Sequence, residues 1–236
     1  MPTLIFDVET VGEEWGAMDE TTQTLMTKWL KRESYDEGEY EKAMEDVKTG
    51  LGFSPLTGEI VALGVWDLER LKGAVYYNAP GQNNKEFEED GIIFKQHTEP
   101  EMLEQFWLLA KKYNDFVTYN GRGFDVPYMM VRSAVHKIKP SKNLLSNRYL
   151  NYMPQDAKHY DLMDQLSFYG TVRKKGSLHL WCRALGIESP KAGGVTGEDV
   201  AGLFKAGKCL EIAKYNVGDL KSTGELYLRW KEYFNI

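Results

Sequence analysis

The chain opens on an apolar run that carries two acidic residues near its end. Residues 4–10 are rich in Leu, Ile, Phe and Val, which predicts a buried β-strand, with Asp7 and Glu9 close to its carboxyl end. Side chains alternate along a strand that rises roughly 3.3 Å per residue, so both acids point to one face, about 6.6 Å apart. A Lys or Arg side chain, or a divalent metal, would balance this pair of charges. The alternative is a strand that ends in a solvated turn, and only further carboxylates along the chain can favour the metal.

The pattern changes directly after this strand. Residues 13–50 are rich in Glu and Asp, with apolar residues at helical spacing, and predict an acidic helical insertion. The composition is typical of a solvated flap, although a place beside Asp7 and Glu9 would also let the segment border a substrate channel.

Strands and helices follow one another through the rest of the chain. Residues 60–66 and 74–77 predict two strands that form, with the first strand, a meander at the start of a mixed sheet. Thr98 and Glu101 predict a capping box at the start of a helix. The further predictions are helices at about 99–113 and 209–233, a strand at 116–119, a strand end at Tyr160 with a helix capped by Asp161, a short helix from Ser177 that ends at Gly186, and loops at 78–85 and 191–197.

Composition limits the class of protein. The 236 residues are 42% hydrophobic and 27% charged, which is ordinary globular composition for one large domain or two small ones. The formal net charge of −6 argues against a general nucleic-acid binder that is held by phosphate neutralisation alone. The sequence has no signal-peptide pattern and no apolar run of membrane-spanning length, so we expect a soluble, cytoplasmic protein. Cys182 and Cys209 predict buried reduced thiols, and the four histidines lack zinc spacing.

Two later stretches supply further candidate acids. Asp125 follows the predicted strand at 116–119 and opens an apolar helix, where its alternative role is that of helix N-cap. Tyr215 and Asp219 are four residues apart on the last helix and therefore project from one face. Such a pair is also common on protein surfaces, so neither stretch is decisive alone.

The segment from Arg132 to Lys175 is the most basic part of the chain. Its Lys and Arg residues are interleaved with Tyr149, Tyr152 and Tyr160. Mixed cations and aromatic rings can guide a single nucleic-acid strand through phosphate contacts and stacking. A solvated surface is the equal alternative.

Taken together, the acidic motifs resemble those of one enzyme superfamily. The order is D-x-E on the first strand, N-G-x-x-F-D at a strand-to-helix junction and Y-x-x-x-D on a late helix, as in the tyrosine branch of the DEDD superfamily of 3′-5′ exonucleases. The sequence is most similar to stand-alone relatives of the proofreading exonuclease domain of family-B DNA polymerases. The stretches that carry this resemblance are residues 6–10, 119–125, 159–164, 177–187 and 211–219.

The resemblance implies a fold and a chemistry. The fold would be α/β, a ribonuclease-H-like mixed sheet flanked by helices, with residues 1–236 as a single exonuclease domain and 13–50 as its helical insertion. Two divalent ions, Mg²⁺ or Mn²⁺, would serve the in-line hydrolysis of a phosphodiester. Asp7 would bridge both ions, Glu9 and Asp219 would complete the site of the ion that binds the attacking water, and Asp125 would hold the second ion. Tyr215 would orient that water through its hydroxyl.

One pair of residues competes with Tyr215 and Asp219. His159 and Asp164 have the H-x-x-x-x-D spacing of the histidine branch of the same superfamily. We prefer the tyrosine pair, because the closing motif is expected on the last core helix, after residues 177–186.

The implied activity is the removal of nucleoside monophosphates from the 3′ end of single-stranded DNA. Asn120 and Phe124 are expected to hold the terminal nucleotide or to shape the second metal site. The alternatives are the same reaction on RNA, since no residue pattern indicates a reader of the 2′-hydroxyl, and an inactive nucleic-acid-binding module. A further hypothesis, a nucleotide enzyme that binds phosphates in a glycine-rich loop, has little support because the sequence lacks the required glycine-rich motifs.

Overall fold

The computed structural model describes residues 2–30, 36–189 and 196–235, without the side chain of Glu198. A seven-stranded mixed sheet lies at the centre of this part of the chain. Its spatial order is β4-β5-β3-β2-β1-β6-β7. The strands are β1 (Thr3–Gly12), β2 (Gly58–Asp67), β3 (Lys72–Tyr77), β4 (Phe87–Glu89), β5 (Ile92–Gln96), β6 (Asp115–Thr118) and β7 (Lys158–Asp161).

The predicted meander is confirmed, since β1 pairs antiparallel with β2, and β2 pairs antiparallel with β3. On the other side of β1, strands β6 and β7 run parallel to it. The sequence pattern does not predict β4 and β5. Strand β4 is exposed along its whole length, so it has no apolar face to detect. The burial of β5 alternates, but the apolar Ile93 occupies an exposed position, so the alternation is not visible in the residue types.

Eight α-helices accompany the sheet in the described ranges. They are α1 (Glu20–Thr27), α2 (Glu37–Gly50), α3 (Glu99–Ala110), α4 (Asp125–Val135), α5 (Leu162–Leu166), α6 (Leu178–Leu185), α7 (Val200–Lys205) and α8 (Cys209–Tyr233). Helices α1 and α2 lie in the acidic segment 13–50, and neither contains a buried residue. That this segment is an insertion in a single domain stays a prediction.

The alternation of β1 places two different cores on the two faces of the sheet. Leu4, Phe6 and Val8 pack in a cluster with residues of α3 and α4. Ile5 points the other way, into a cluster that contains the buried side of α8. Asp7 and Glu9 continue the alternation of Ile5, so both acids face α8 rather than α3.

Several local predictions are confirmed. Thr98 and Glu101 form the capping box of α3, although this helix ends at Ala110 instead of reaching residue 113. Asp161 caps α5, and the left-handed Gly186 ends α6, which Ser177 caps. Both cysteines are buried free thiols. Of the predicted loop at 191–197, residues 191–195 lie outside the described residues, and Gly197 begins a 3-10 helix, Gly197–Asp199. None of the described helices combines the length and the apolar character that crossing a membrane requires.

Candidate active site

Three acids from opposite ends of the sequence meet beside the central strand. Asp7 and Glu9 of β1 and Asp219 of α8 each place one carboxylate oxygen within 4.8 Å of the others. Glu9 is buried, whereas Asp7 and Asp219 are partly exposed. The β1–β2 register shifts directly after Glu9, so the strand changes its pairing where the acidic residues end. We call Asp7, Glu9 and Asp219, together with Asp125, the acidic site.

Asp125 approaches the other three acids from the α4 side of β1 and lies outside the group of oxygens within 4.8 Å of one another. It is the first residue of α4, and its Oδ1 atom accepts a hydrogen bond of 3.1 Å from the backbone N–H of Val8. Asp125 is 3% exposed. The alternative role of N-cap is wrong, because Phe124 holds that position and the Asp125 side chain reaches back to β1 instead.

The acidic site concentrates negative charge in a place with little water. Burial raises the pKa of Asp7 well above its ordinary value, and the charges of Asp125, Glu9 and Asp219 raise it further. Burial, followed by the charge of Asp219, likewise raises the pKa of Glu9. Burial also raises the pKa of Asp125. Burial and mutual repulsion thus oppose the ionisation of these acids, and a bound cation would offset both. Carboxylate oxygens are the ligands that a hard divalent cation prefers.

Asn216 is a site residue that the sequence analysis missed. Its side chain is fully buried, and its Nδ2 atom donates to Asp7 Oδ2 at 2.7 Å and, more weakly, to Glu9 Oε1 at 3.5 Å. Room for this amide comes from Gly64 on β2, where a Cβ would stand 1.8 Å from Asn216 Oδ1. One signal was available, since Asn216 interrupts the buried stripe that Ile212, Ala213 and Leu220 form along α8. A polar residue at a core position of a helix indicates a specific buried partner.

Tyr215 lies where it can act on the acidic site. It precedes Asp219 by one helical turn and is partly buried. Burial raises the pKa of Tyr215, and the charges of Asp219 and Glu9 raise it further. Its hydroxyl is therefore protonated at neutral pH, which suits a residue that positions water rather than one that acts as a base.

The competing histidine is tied into the core. The ring of His159 is 1% exposed, with Nε2 at 2.8 Å from Thr118 Oγ1 and Nδ1 at 3.2 Å from the carbonyl oxygen of Leu144. Burial lowers the pKa of His159 to about 3. Its partner in the motif, Asp164, is bound by Arg148 through two hydrogen bonds of 3.0 and 2.6 Å. The geometry therefore favours Tyr215 and Asp219.

The remaining predicted residues surround Asp125. Asn120 follows β6 with a left-handed φ of 67°, and its backbone N–H donates to Asp161 Oδ1 at 3.0 Å. The ring of Phe124 contacts that of Tyr128, at 5.4 Å between centroids, and that of Phe53, at 6.5 Å. Both residues flank the acidic site, and their contact with a nucleotide stays a prediction.

Arg132 belongs to the basic segment by sequence but is not available to a strand. Its guanidinium donates two hydrogen bonds to Glu99, at 2.8 and 2.6 Å, and only 15% of its side chain is exposed. Glu99 also accepts from the backbone N–H of Ile60 at 2.8 Å, so this pair fastens α3 and α4 to β2. The inclusion of Arg132 in a strand-guiding surface is therefore wrong.

Comparison with known proteins identifies the fold and the family. Over 98% of the chain the structure resembles the family B DNA polymerase from the hyperthermophilic archaeon Pyrobaculum calidifontis, with a TM-score of 0.56 at 16% identity, and covers 24% of that polymerase. The fold is thus that of a polymerase exonuclease domain, which is ribonuclease-H-like. A stretch of 138 residues, 54% of the chain, is 24% identical to DNA polymerase 1 of Saccharolobus solfataricus and spans 15% of it. The chain therefore corresponds to a small part of either polymerase.

A family model covers more than half of the chain. It describes a predicted 3′-5′ exonuclease related to the exonuclease domain of PolB and matches residues 78–235. This range contains Asp125, Tyr215 and Asp219, whereas β1 with Asp7 and Glu9 precedes it. The chain belongs to this family of predicted 3′-5′ exonucleases.

Proposed function

We propose that this chain is a metal-dependent 3′-5′ exonuclease that shortens single-stranded DNA from its 3′ end and releases nucleoside monophosphates. The observation that carries the proposal is the convergence of Asp7, Glu9 and Asp219 within 4.8 Å, with Asp125 hydrogen-bonded to the same strand. Membership in the exonuclease family supports the reaction class. The preference for DNA is supported by the two similar proteins, which are both DNA polymerases.

The four acids divide the work of ligation in this proposal. Asp7, Glu9 and Asp219 would supply the oxygens of one metal position, and Asp125 would serve a second position from the other side of Asp7. When bound, two divalent ions would stabilise both the attacking and the leaving oxygen of the phosphodiester and lower the pKa of the attacking water.

The other residues hold these ligands and the water. Asn216 donates a hydrogen bond to Oδ2 of Asp7 and so restrains the rotation of that carboxylate. The protonated hydroxyl of Tyr215 would donate a hydrogen bond to the attacking water, or accept one from it, and so set the direction from which the water attacks. Tyr215 would thereby position the water without changing its own protonation.

Labelled oligonucleotides test the proposal directly. DNA and RNA of the same sequence, labelled at the 5′ end, are incubated with the protein in Mg²⁺, in Mn²⁺ and in EDTA. We expect single-nucleotide steps of shortening with either metal, none in EDTA, and faster shortening of DNA than of RNA.

Two matched variants show whether the acidic site is responsible. Glu9→Ala removes a ligand, whereas Glu104→Ala removes a carboxylate of the same type from the exposed side of α3. Only Glu9→Ala should abolish shortening. If Glu9→Ala shortens DNA as fast as Glu104→Ala, the acidic site is not catalytic. Binding of both polymers without shortening of either would instead indicate an inactive binding module.

A further inference from the structure

A second, polar pocket lies next to the acidic site, and its walls contain none of the four acids of that site. It has a volume of about 230 Å³ and includes Asn120, Gly123, Arg122, Arg148 and Lys175 in its walls. The loop of Asn120 and Gly123 leads directly into Asp125 at the start of α4. The pocket therefore opens beside the Asp125 side of the acidic site.

The two acids in the pocket walls are occupied by donors of the protein itself. The carboxylate of Asp161 accepts the backbone N–H groups of Asn120 at 3.0 Å, Arg122 at 2.9 Å and Met163 at 2.9 Å. The carboxylate of Asp164 is held by both hydrogen bonds from Arg148. Their remaining capacity to attract a cation is small, because charge and lone pairs are already used.

The cations of the pocket keep unused capacity. A guanidinium has five N–H donors, and the pair with Asp164 uses two of those of Arg148, whose side chain is 43% exposed. Arg122 donates one hydrogen bond of 2.7 Å to the carbonyl oxygen of Asn147, and its Nε atom lies 3.8 Å from Asp164 Oδ2 in an ion pair. Its side chain is 17% exposed, so the N–H groups left over face the pocket from a largely buried guanidinium. The side chain of Lys175 is exposed. The three cations thus exceed the two occupied carboxylates and leave a positive wall.

A pair of aromatic rings stands beside this wall. Tyr149 follows Arg148 in the chain, is 49% exposed, and lies 4.9 Å from the ring of Tyr169, centroid to centroid. Phe168 and Tyr169 both have left-handed backbone, with φ of 49° and 55°. Residues with large side chains rarely adopt this conformation, and such strain is often found at binding sites.

The cleft that adjoins the end of β1 has the opposite character. This larger cleft, about 1,040 Å³, runs between the segment after β1 and α7 and is lined by Glu13, Glu14, Glu45 and Glu59. Two lysines in its walls are already paired, Lys48 with Glu45 and Lys205 with Glu14. A polyanion would be repelled there, so charge separates the two openings.

We propose that Arg122, Arg148 and Lys175, with the Tyr149–Tyr169 pair, form a subsite for single-stranded nucleic acid on the 5′ side of the cleaved bond. The cations would bind a backbone phosphate, and the exposed ring of Tyr149 would stack on a base. The inference rests on the proposed function, which places the 3′ end of the strand in the acidic site. It assigns the direction from which the strand arrives.

Cleavage rates on a dinucleotide and on an octanucleotide test this subsite. Only the longer strand extends far from the acidic site, so the ratio of the two kcat/KM values reports contacts on the 5′ side. Lys175→Ala and Tyr149→Ala should each lower the octanucleotide-to-dinucleotide ratio, and Tyr149→Ala should do so by about tenfold. The matched control is Lys112→Ala, which removes an exposed lysine between the end of α3 and the start of β6. This lysine lies near the end of β6 that is away from Asn120 and the pocket, so the variant should keep the wild-type ratio.

Salt dependence separates a phosphate contact from a structural role. If Lys175 binds one phosphate, the slope of log kcat/KM against log salt for the octanucleotide should become shallower by about 0.7 in Lys175→Ala. Tyr149→Ala should leave that slope unchanged, because stacking releases no counterions.

The possible failures are distinguishable. Unchanged ratios and slopes in Lys175→Ala and Tyr149→Ala, with oligonucleotides still cleaved by the wild type, would overturn the subsite and leave the exonuclease intact. Competitive inhibition by inorganic phosphate that disappears in Lys175→Ala, without any change in the ratio, would show a free-phosphate site and equally overturn the inference. If the wild-type protein cleaves no oligonucleotide, the proposed function fails and the subsite with it.

Discussion

Gly64→Ala provides a test of how the sheet and the last helix cooperate at the acidic site. Gly64 pairs with Asp7 across the β1–β2 ladder, and its hydrogen atoms face the amide of Asn216. A methyl group at this position would stand 1.8 Å from Asn216 Oδ1 and 2.7 Å from Leu220 Cδ1. The amide of Asn216 must therefore move, or the helix must shift away from the sheet.

Either response has a known range of cost. Overpacking of a core costs about 1–3 kcal/mol, and a hydrogen bond to a charged group contributes about 1.5–3 kcal/mol. The two are alternative responses to one overlap, so they do not simply add. Replacement of glycine in a strand returns about 0.5–1 kcal/mol. We expect the free energy of unfolding to fall by about 1–3 kcal/mol and the cleavage rate to fall by about 10–100-fold, as for other residues that orient a metal ligand.

The measurements are urea unfolding and oligonucleotide cleavage at a temperature where each variant is folded. Gly224→Ala is the matched control, because this glycine also lies between α8 and the sheet, where a Cβ would meet Ile5 Cδ1 at 2.7 Å and Trp66 at 2.9 Å, away from Asn216. It should affect stability but not the cleavage rate.

A double variant gives the refuting result. In an Asn216→Ser background the shorter side chain leaves room for the methyl group, so Gly64→Ala should cost less stability there than in the wild type. An equal cost in both backgrounds would show that the collision with Asn216 does not decide the effect.

Three further predictions concern individual residues. Tyr215→Phe should lower the cleavage rate strongly and leave the free energy of unfolding unchanged. His159→Ala should lose about 2–4 kcal/mol of stability and keep its cleavage rate per folded molecule. The reverse pattern of rates would assign the closing motif to His159 and Asp164 instead. Because the pKa of Asp7 is raised by burial and by neighbouring acids, its ionisation opposes folding. The metal-free protein should therefore lose stability as the pH rises above about 4, and Asp7→Asn should lose less, as urea unfolding in EDTA can measure. Burial alone would raise the pKa of Glu99, but hydrogen bonds from Arg132 and from a backbone N–H outweigh burial and lower this pKa. The ionised Glu99 therefore stabilises the fold above the ordinary carboxyl pKa, and this stabilisation is lost as the pH falls through the lowered pKa. Glu99→Gln should cost about 3–5 kcal/mol near neutral pH and remove that acid-side loss; an unchanged urea midpoint would contradict this.

The elements that carry the acids could be predicted because each has a strong local signal. The β1 run is apolar with two acids on one face, and the last helix keeps its period from Cys209 to Tyr233. The meeting of Asp7 with Asp219 has no such local signal. It was expected only because the order of motifs resembles that of a known superfamily.

The residues that were missed or misread depend on partners far away in the sequence. Asn216 of α8 fits against Gly64 of β2. Its place in the buried stripe of the helix indicates a buried partner, but nothing near it in the sequence indicates which residue that partner is. Arg132 looked like a surface cation because its partner, Glu99, lies 33 residues earlier on a different helix. Strands β4 and β5 are recognisable mainly through pairing with each other and with β3.

The hydrogen bond between Asn216 and Asp7 spans 209 positions of the chain, and Asp219 lies farther along still. In a polypeptide emerging from the ribosome, the acidic site therefore lacks Asp219 until α8 has been synthesised and has packed against the sheet. Under the proposed function, hydrolysis of nucleic acid would begin only after α8 has packed against the sheet. Fraying of that one helix in the mature protein would abolish the activity by the same route.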